Sequence, residues 1–128
     1  MEIRKSLPEI ENMAAAQTGR RIRIRQTAPD TVRLHLLLDI ELALVGHTDT
    51  ALVFDYRTGA LGRLAAHSAE KLFGPIRTKK ITLDTAARQI SLHLDVFGEF
   101  KPHLEGHVIR SAAISDGLLR VALADKAV

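Results

Sequence analysis

The longest regular pattern in the chain is an alternation of apolar and polar positions between residues 32 and 44. Even positions are apolar and most odd positions are polar: Val32, Leu34, Leu36, Leu38, Ile40, Leu42 and Leu44 against Arg33, His35, Asp39 and Glu41. A period of two is typical of a β-strand, because successive side chains point to opposite faces of a sheet. The pattern predicts one strand of about 43 Å at about 3.3 Å per residue, which would have to curve strongly or pass between two parts of a sheet.

Several shorter segments show the same period. In chain order they cover residues 21–25, 50–56, 81–83, 90–96, 103–114 and 119–123. The segment 50–56 is expected to return antiparallel to the long strand after a break at Gly46. Asp116-Gly117 is a two-residue hairpin signal ahead of the last strand.

Two segments have the helical period instead. Residues 60–73 place Leu61, Leu64, Leu72 and Phe73 on one face and end at Gly74-Pro75, which predicts an amphipathic helix. Residues 1–19 are interpreted as a lead segment with a short helix that starts at Ser6 or Leu7, ahead of Pro8, and ends at Gly19. The expected fold class is α+β: one domain over residues 20–128, with a long curved antiparallel sheet of six or seven strands wrapped on the helix of residues 60–73.

Composition restricts the chemistry that this fold can carry. The chain has 128 residues, no Cys and no Trp, and 46% of its residues are hydrophobic but only 4% aromatic. Disulfide scaffolds, zinc–thiolate sites and thiol catalysis are therefore excluded, and the core must be aliphatic. The formal net charge of +3 arises in the first 33 residues, since the remainder is neutral.

An arginine-rich strand is the main electrostatic feature. Arg21, Arg23 and Arg25 alternate with Ile22 and Ile24, so the three guanidinium groups share one face. They are candidate anion-binding residues for phosphates of nucleic acid or of anionic lipid headgroups. The shortage of aromatic rings disfavours base stacking. The alternative is a charged edge strand that discourages aggregation.

Histidines raise the question of metal or acid–base chemistry. His35 with Asp39, and His93 with Asp95, occupy polar faces of two strands and would form a metal site if those strands paired. The alternative is the solvated face of an amphipathic sheet, and we expect no metal or other cofactor. No nucleophile elbow, phosphate-binding glycine loop or His-Glu-x-x-His motif is present, so we expect a non-enzymatic protein.

The predicted sheet has more apolar surface than one amphipathic helix can cover. The excess could be buried by a second curled sheet layer, by a dimer partner, or by an acyl chain in a groove. The alternative is a fully packed aliphatic core. The candidate walls of such a groove are Leu36, Leu38, Ile40, Leu42, Leu64, Phe73, Leu92 and Leu94.

The order of elements resembles a known family. The helix of residues 61–73, the segments 81–84 and 90–94 and the closing Asp116-Gly117-Leu118-Leu119-Arg120-Val121 resemble small bacterial lipid-binding proteins of the tubular lipid-binding (TULIP) superfamily over about residues 30–125. The resemblance implies transport or holding of a lipid, and it transfers no site residue.

Three functions follow as expectations. The first is a binding module for a hydrophobic, lipid-like ligand or a membrane lipid. The second is an assembly or adaptor domain that pairs with a second copy or another protein through an apolar sheet face, and the third is nucleic-acid binding through the arginine strand. The sequence as written shows no secretory signal or transmembrane run, so we expect a cytoplasmic location, or a periplasmic or membrane-associated one if a signal or anchor was removed.

Overall fold

A computed structural model describes residues 1–19, 21–35, 39–57, 81–84 and 86–126. The strands are β1 Glu2–Ser6, β2 Arg23–Ala28, β3 Thr31–His35, β4 Asp39–His47, β5 Ala51–Arg57, β6 Ile81–Asp84, β7 Gln89–His93, β8 His107–Ser115 and β9 Leu118–Asp125. The helices are α1 Leu7–Thr18, a short α2 Lys101–Leu104 and a 3-10 helix Leu94–Val96.

The strands form two antiparallel sheets. The larger has six strands in the order β2-β3-β4-β5-β7-β6, and the smaller has three in the order β1-β9-β8. An α+β fold built mainly from antiparallel sheet agrees with the prediction. The prediction of a single sheet is wrong, because β8 and β9 join the first strand of the chain rather than β7.

The long alternating segment is a hairpin rather than one strand. β3 and β4 pair antiparallel, with Thr31 opposite Ala43 and His35 opposite Asp39. In this register even-numbered residues pair with even-numbered ones, so the alternation continues across the connection without a change of phase. A period of two therefore could not distinguish a straight strand from a hairpin of this register.

Of three other local predictions, two are confirmed and one is wrong in its length. β5 returns antiparallel to β4, as predicted. Asp116 and Gly117 both have positive φ angles, of 53° and 72°, and form the predicted tight turn between β8 and β9. The strand predicted over residues 90–96 ends earlier, at His93, because Leu94–Val96 turns into a 3-10 helix.

The N-terminal segment contains the predicted helix and a strand that was not predicted. Ser6 caps α1: its hydroxyl accepts from the Glu9 N–H at 3.2 Å, and the Glu9 carboxylate accepts from the Ser6 N–H at 3.3 Å. Gly19 ends the helix with a φ of 69°. Ahead of it, β1 pairs with β9, so the lead segment is part of the smaller sheet.

The core lies between the two sheets. Ile40 and Leu52 from the larger sheet, Val121 from the smaller one and Leu94 are the most deeply buried large side chains, at 0–1% exposure. α1 adds Leu7, with Ile10 and Met13 packed against the cluster. A second sheet layer, one of the three predicted outlets for the apolar surplus, is therefore present.

A hydrogen-bonded clamp joins the sheets at the β2–β3 turn. The Asp30 carboxylate accepts from the Ile114 N–H at 2.7 Å, and the Ile114 carbonyl accepts from the Asp30 N–H at 2.9 Å. The Gln26 side chain donates to the Ile114 carbonyl and accepts from the Gly117 N–H. These contacts satisfy backbone groups of the β8–β9 hairpin that have no partner in their own sheet.

The amphipathic helix predicted for residues 60–73 lies outside the described residues. Within the described ranges, no helix has the length and apolar character that a membrane crossing requires.

Candidate anion-binding site

The β2–β3 hairpin gathers arginines on the outer face of the larger sheet. Arg23 lies opposite His35, and Arg25 lies opposite Arg33. The turn at Pro29-Asp30 reverses the chain, with Asp30 at a φ of 58°. Ile22, Ile24, Val32 and Leu34 alternate with these polar residues and are buried, and so their packing fixes the direction of the arginines.

Arg25 and Arg33 form a directly opposed pair of like charge. The Ile24 N–H points away from β3 and donates to the Glu11 carboxylate at 2.9 Å. Because the backbone groups of successive strand residues point to opposite sides, those of Arg25 point toward β3. Opposed residues of this hydrogen-bonded kind have Cα atoms about 5.5 Å apart. Two guanidinium groups at this spacing repel each other but can reach one anion together.

β4 adds carboxylates beside the arginines. The Asp39 Oδ1 atom lies 2.6 Å from His35 Nδ1, and both side chains are exposed. Glu41 lies opposite Arg33 on one side and Arg57 on the other. The row Arg25, Arg33, Glu41 and Arg57 therefore holds three positive charges and one negative charge across four strands.

A shallow concavity of about 260 Å³ lies on this face. It is lined by Arg23, Arg25, Arg33, His35 and Asp39. All five residues are exposed. Three guanidinium groups, one imidazole and one carboxylate give a cavity with a net positive charge and hydrogen-bond donors on several sides.

The predicted and observed members of this site overlap in part. Arg23 and Arg25 line the concavity, whereas Arg21 is exposed just before β2 and does not line it. Arg33 was missed as a site residue. Its position on the polar side of the alternation, together with the turn at residues 28–30, was the signal that could have placed it beside Arg25.

The histidines and aspartates do not converge. His35, the last residue of β3, lies opposite Asp39, the first residue of β4. His93 lies opposite Ala51, near the far end of the nine-residue strand β4, roughly 26 Å away. His93 Nε2 instead contacts Thr82 Oγ1 at 2.6 Å. Across the described part of the chain, no group of three or more potential ligands is placed to hold a metal ion.

The predicted aliphatic wall is divided between core and undescribed positions. Ile40, Leu42 and Leu94 are buried in the core between the sheets, with exposures of 0%, 8% and 1%. Leu92 is half-buried and packs against that core. The remaining members lie outside the described residues: Leu36, Leu38, Leu64 and Phe73.

Aromatic side chains lie away from the arginines. Phe54, Tyr56 and Phe100 are buried in the core, and Phe97 is half-buried against it, while Phe73 lies outside the described residues. Burial raises the pKa of the Tyr56 phenol, an effect that Arg88 opposes and Asp84 reinforces. The face that carries the arginines therefore has no described Phe or Tyr ring on which a base would stack.

Comparison with known proteins gives no relative: no family model, curated protein or solved structure matches this chain. The resemblance to the TULIP superfamily accordingly stays a prediction.

Proposed function

We propose that this protein is a non-enzymatic binding module whose arginine face, defined as Arg23, Arg25, Arg33 and His35, holds a ligand through a phosphate group. The opposed pair Arg25 and Arg33 is the observation that carries the proposal. Like charges directly across a sheet destabilise it, and a dianion between them replaces that repulsion with two attractions. Arginine forks also match the geometry of phosphate oxygens.

The size and lining of the concavity support a single phosphate-bearing group rather than a polymer. A volume of about 260 Å³ suits a headgroup or a small phosphorylated molecule. Nucleic-acid binding, the third expectation from the sequence, is supported by charge alone, because the described Phe and Tyr rings lie in or against the core. A membrane phospholipid and a free phosphorylated metabolite offer the same chemistry.

Titration with inorganic pyrophosphate, monitored by the amide NMR signals of β2 and β3, tests the shared chemistry. We expect saturable shifts at Arg25 and Arg33. In the double variant Arg25→Gln/Arg33→Gln, affinity is expected to fall about tenfold, because two charge-assisted contacts at an exposed site are lost. The control is Lys101→Gln/Arg110→Gln, which removes the same charge from exposed positions elsewhere.

Three further ligands separate the possible sources of the phosphate. Vesicles of phosphatidylcholine with phosphatidylglycerol test a lipid headgroup, inositol hexakisphosphate tests a free ligand, and single-stranded RNA tests the polymer. Binding to RNA that survives moderate salt better than the other two would contradict the proposal, since phosphate-only association with RNA weakens steeply as salt rises. Equal loss of affinity in the test and control variants would contradict it as well.

A lipid-like ligand for the apolar face is the second candidate, and one observation favours it. Ile81, Leu83 and Leu92 are half-buried apolar residues at the β6–β7 end of the larger sheet. We propose that an acyl chain would lie against these three residues. The arginine face is on the opposite side of the sheet and about 20 Å away across the strands, so one ligand would not fill both sites.

Native mass spectrometry of the purified protein tests this second candidate. A co-purifying lipid that is lost in Leu92→Ser but kept in Ser91→Ala would support it, since Ser91 is the neighbour of Leu92 in β7. A ligand-free spectrum for the wild type would contradict it.

The remaining expectations have less support. An adaptor that uses an exposed apolar face lacks a broad patch in the described part of the chain, where the well-exposed large hydrophobic residues are Met1, Val45 and Val96. The cytoplasmic location expected from the sequence stays a prediction.

A further inference from the structure

The exposed edges of the two sheets differ in how their backbone groups are satisfied. At β2, the Glu11 carboxylate accepts from the Ile24 N–H. At β8, the Asp30 carboxylate accepts from the Ile114 N–H, and the Asp49 carbonyl accepts from the Ile109 N–H at 2.9 Å. Both edges are thus partly covered by the protein itself, which discourages pairing with another chain.

At the edge formed by β1, no described residue provides such cover. The Leu123 N–H donates to the Met1 carbonyl, and the Leu7 N–H donates to the Gly117 carbonyl. Successive residues of a strand direct their backbone N–H and C=O groups to opposite sides. These two bonds therefore show that Met1, Ile3 and Lys5 direct their backbone groups toward β9. Glu2 and Arg4 therefore direct theirs away from the sheet, and both residues are exposed.

We propose that a second copy of this chain pairs with this edge, β1 against β1 in antiparallel orientation with a two-fold axis at Ile3. The two three-stranded sheets then become one continuous sheet of six strands. Glu2 of each copy lies opposite Arg4 of the other, as a hydrogen-bonded pair. The arrangement is isologous and closes as a dimer.

Charge complementarity selects this register and this partner. Centred on Ile3, the pairing matches both Glu2 carboxylates with both Arg4 guanidinium groups, so it forms two cross-strand ion pairs. A shift of the centre by one residue places Glu2 opposite Glu2 or Arg4 opposite Arg4, which is repulsive. The strand is thus self-complementary in one antiparallel register.

The smaller sheet supplies a second reason. Arg4 lies directly opposite Arg120 of β9, which is a like-charge pair. The Nε atom of Arg120 is buried with no hydrogen-bond partner among the described residues. Within the described part of the single chain, Arg4 forms an ion pair with one carboxylate, that of Glu2 two residues away, at 3.3 Å. In the dimer a carboxylate from the second copy lies on the free side of Arg4 and offsets the repulsion from Arg120.

The expected dimer is weak, because β1 has five residues and the new contacts are four backbone hydrogen bonds and two exposed ion pairs. Sedimentation velocity over a wide concentration range at low salt measures it. Any purification tag follows Val128, so that no added residue precedes β1. We expect a monomer at low concentration and a dimer at high concentration.

Charge reversal is the decisive test. Glu2→Arg and Arg4→Glu each turn both ion pairs into like-charge pairs, so each is expected to weaken dimerisation at least about tenfold. The double variant Glu2→Arg/Arg4→Glu restores both pairs in exchanged positions and is expected to regain wild-type dimerisation. Misfolding of a single variant cannot explain recovery of the dimer, because a substitution that disrupts the fold would also be present in the double variant.

A backbone variant tests the edge itself. Arg4→Pro removes an N–H that faces away from β9, so the ladder within the sheet keeps its bonds while the dimer loses two of its four. A wild-type protein that stays monomeric at every concentration would overturn the proposal. The proposal would also be overturned if Arg4→Pro left dimerisation unchanged, or if the double variant dimerised no more strongly than the single charge reversals.

Discussion

The two faces of the larger sheet use the same strands for different purposes. On the inner face, Ile40 and Leu52 are fully buried in an aliphatic core. On the outer face of neighbouring strands, Arg25 and Arg33 oppose each other in water. Because alternate residues serve the two faces, stability and ligand chemistry are separable by substitutions one residue apart.

The largest expected effect is on the inner face. Leu52→Ala is expected to lower the free energy of unfolding by about 3–4 kcal/mol, since Leu52 is completely buried and its removal leaves a cavity. The matched control is Val53→Ala, on the outer face of the same strand and only half-buried, with an expected cost under about 1 kcal/mol. Urea unfolding measures both; equal costs would contradict the separation of the two faces.

The clamp at the β2–β3 turn tests how far the inner face depends on the second sheet. Asp30→Ala is expected to cost about 2–3 kcal/mol, because the Ile114 N–H loses its acceptor and alanine disfavours a positive φ. Asp30→Asn keeps an acceptor and tolerates that backbone angle, so it should cost clearly less. Thermal unfolding measures the loss of stability in each variant. An equal loss in both would show that the carboxylate charge matters more than the hydrogen bond to the Ile114 N–H.

Tyr56 makes the stability of the core depend on pH in the alkaline range. Burial raises the pKa of its phenol above the usual 10, so the folded state keeps the proton longer than the unfolded state. Its contribution to stability is therefore intact below pH 10 and is lost as the pH rises from there through the folded-state pKa. Tyr56→Phe should remove this part of the alkaline destabilisation. Since the chain has one Tyr and no Trp, phenolate absorbance reports the titration directly.

The smallest expected effect is on the outer face. Arg25→Thr is expected to change the free energy of unfolding by no more than about 0.5 kcal/mol, because an exposed side chain is removed and its repulsion with Arg33 disappears. The same substitution should weaken pyrophosphate binding. Destabilisation near that of Leu52→Ala, in the same urea experiment, would mean that the arginine face serves the fold rather than a ligand.

Local signals in the sequence located many elements of the fold. Ser6 and Pro8 mark the start of α1, Gly19 its end, and Asp116-Gly117 the last hairpin. These features act within a few residues, so their chemistry can be read directly from the order of the side chains. β1 was missed because its five residues include Arg4, Lys5 and Ser6, and the strand exists through its pairing with β9.

The long-range arrangement could not be read in the same way. The alternation from Val32 to Leu44 has the same phase in a straight strand and in the observed hairpin, so pattern alone gave the wrong length. The pairing of β2 with β3 places Arg33 beside Arg25, and Arg33 therefore went unrecognised as a site residue. Partition into two sheets depends on contacts such as Gln26 with Gly117, which no local rule predicts.

The pairing of β1 with β9 also constrains the order of events during synthesis. Glu2 lies opposite Ala122, so β1 must wait for the synthesis of β9 before it gains its partner. The β2–β3–β4–β5 meander has its strand neighbours close in the chain and is free to form earlier. Closure of the smaller sheet thus has to wait until β9 has been synthesised, and a circular permutant in which β1 follows β9 along the chain should remove that delay.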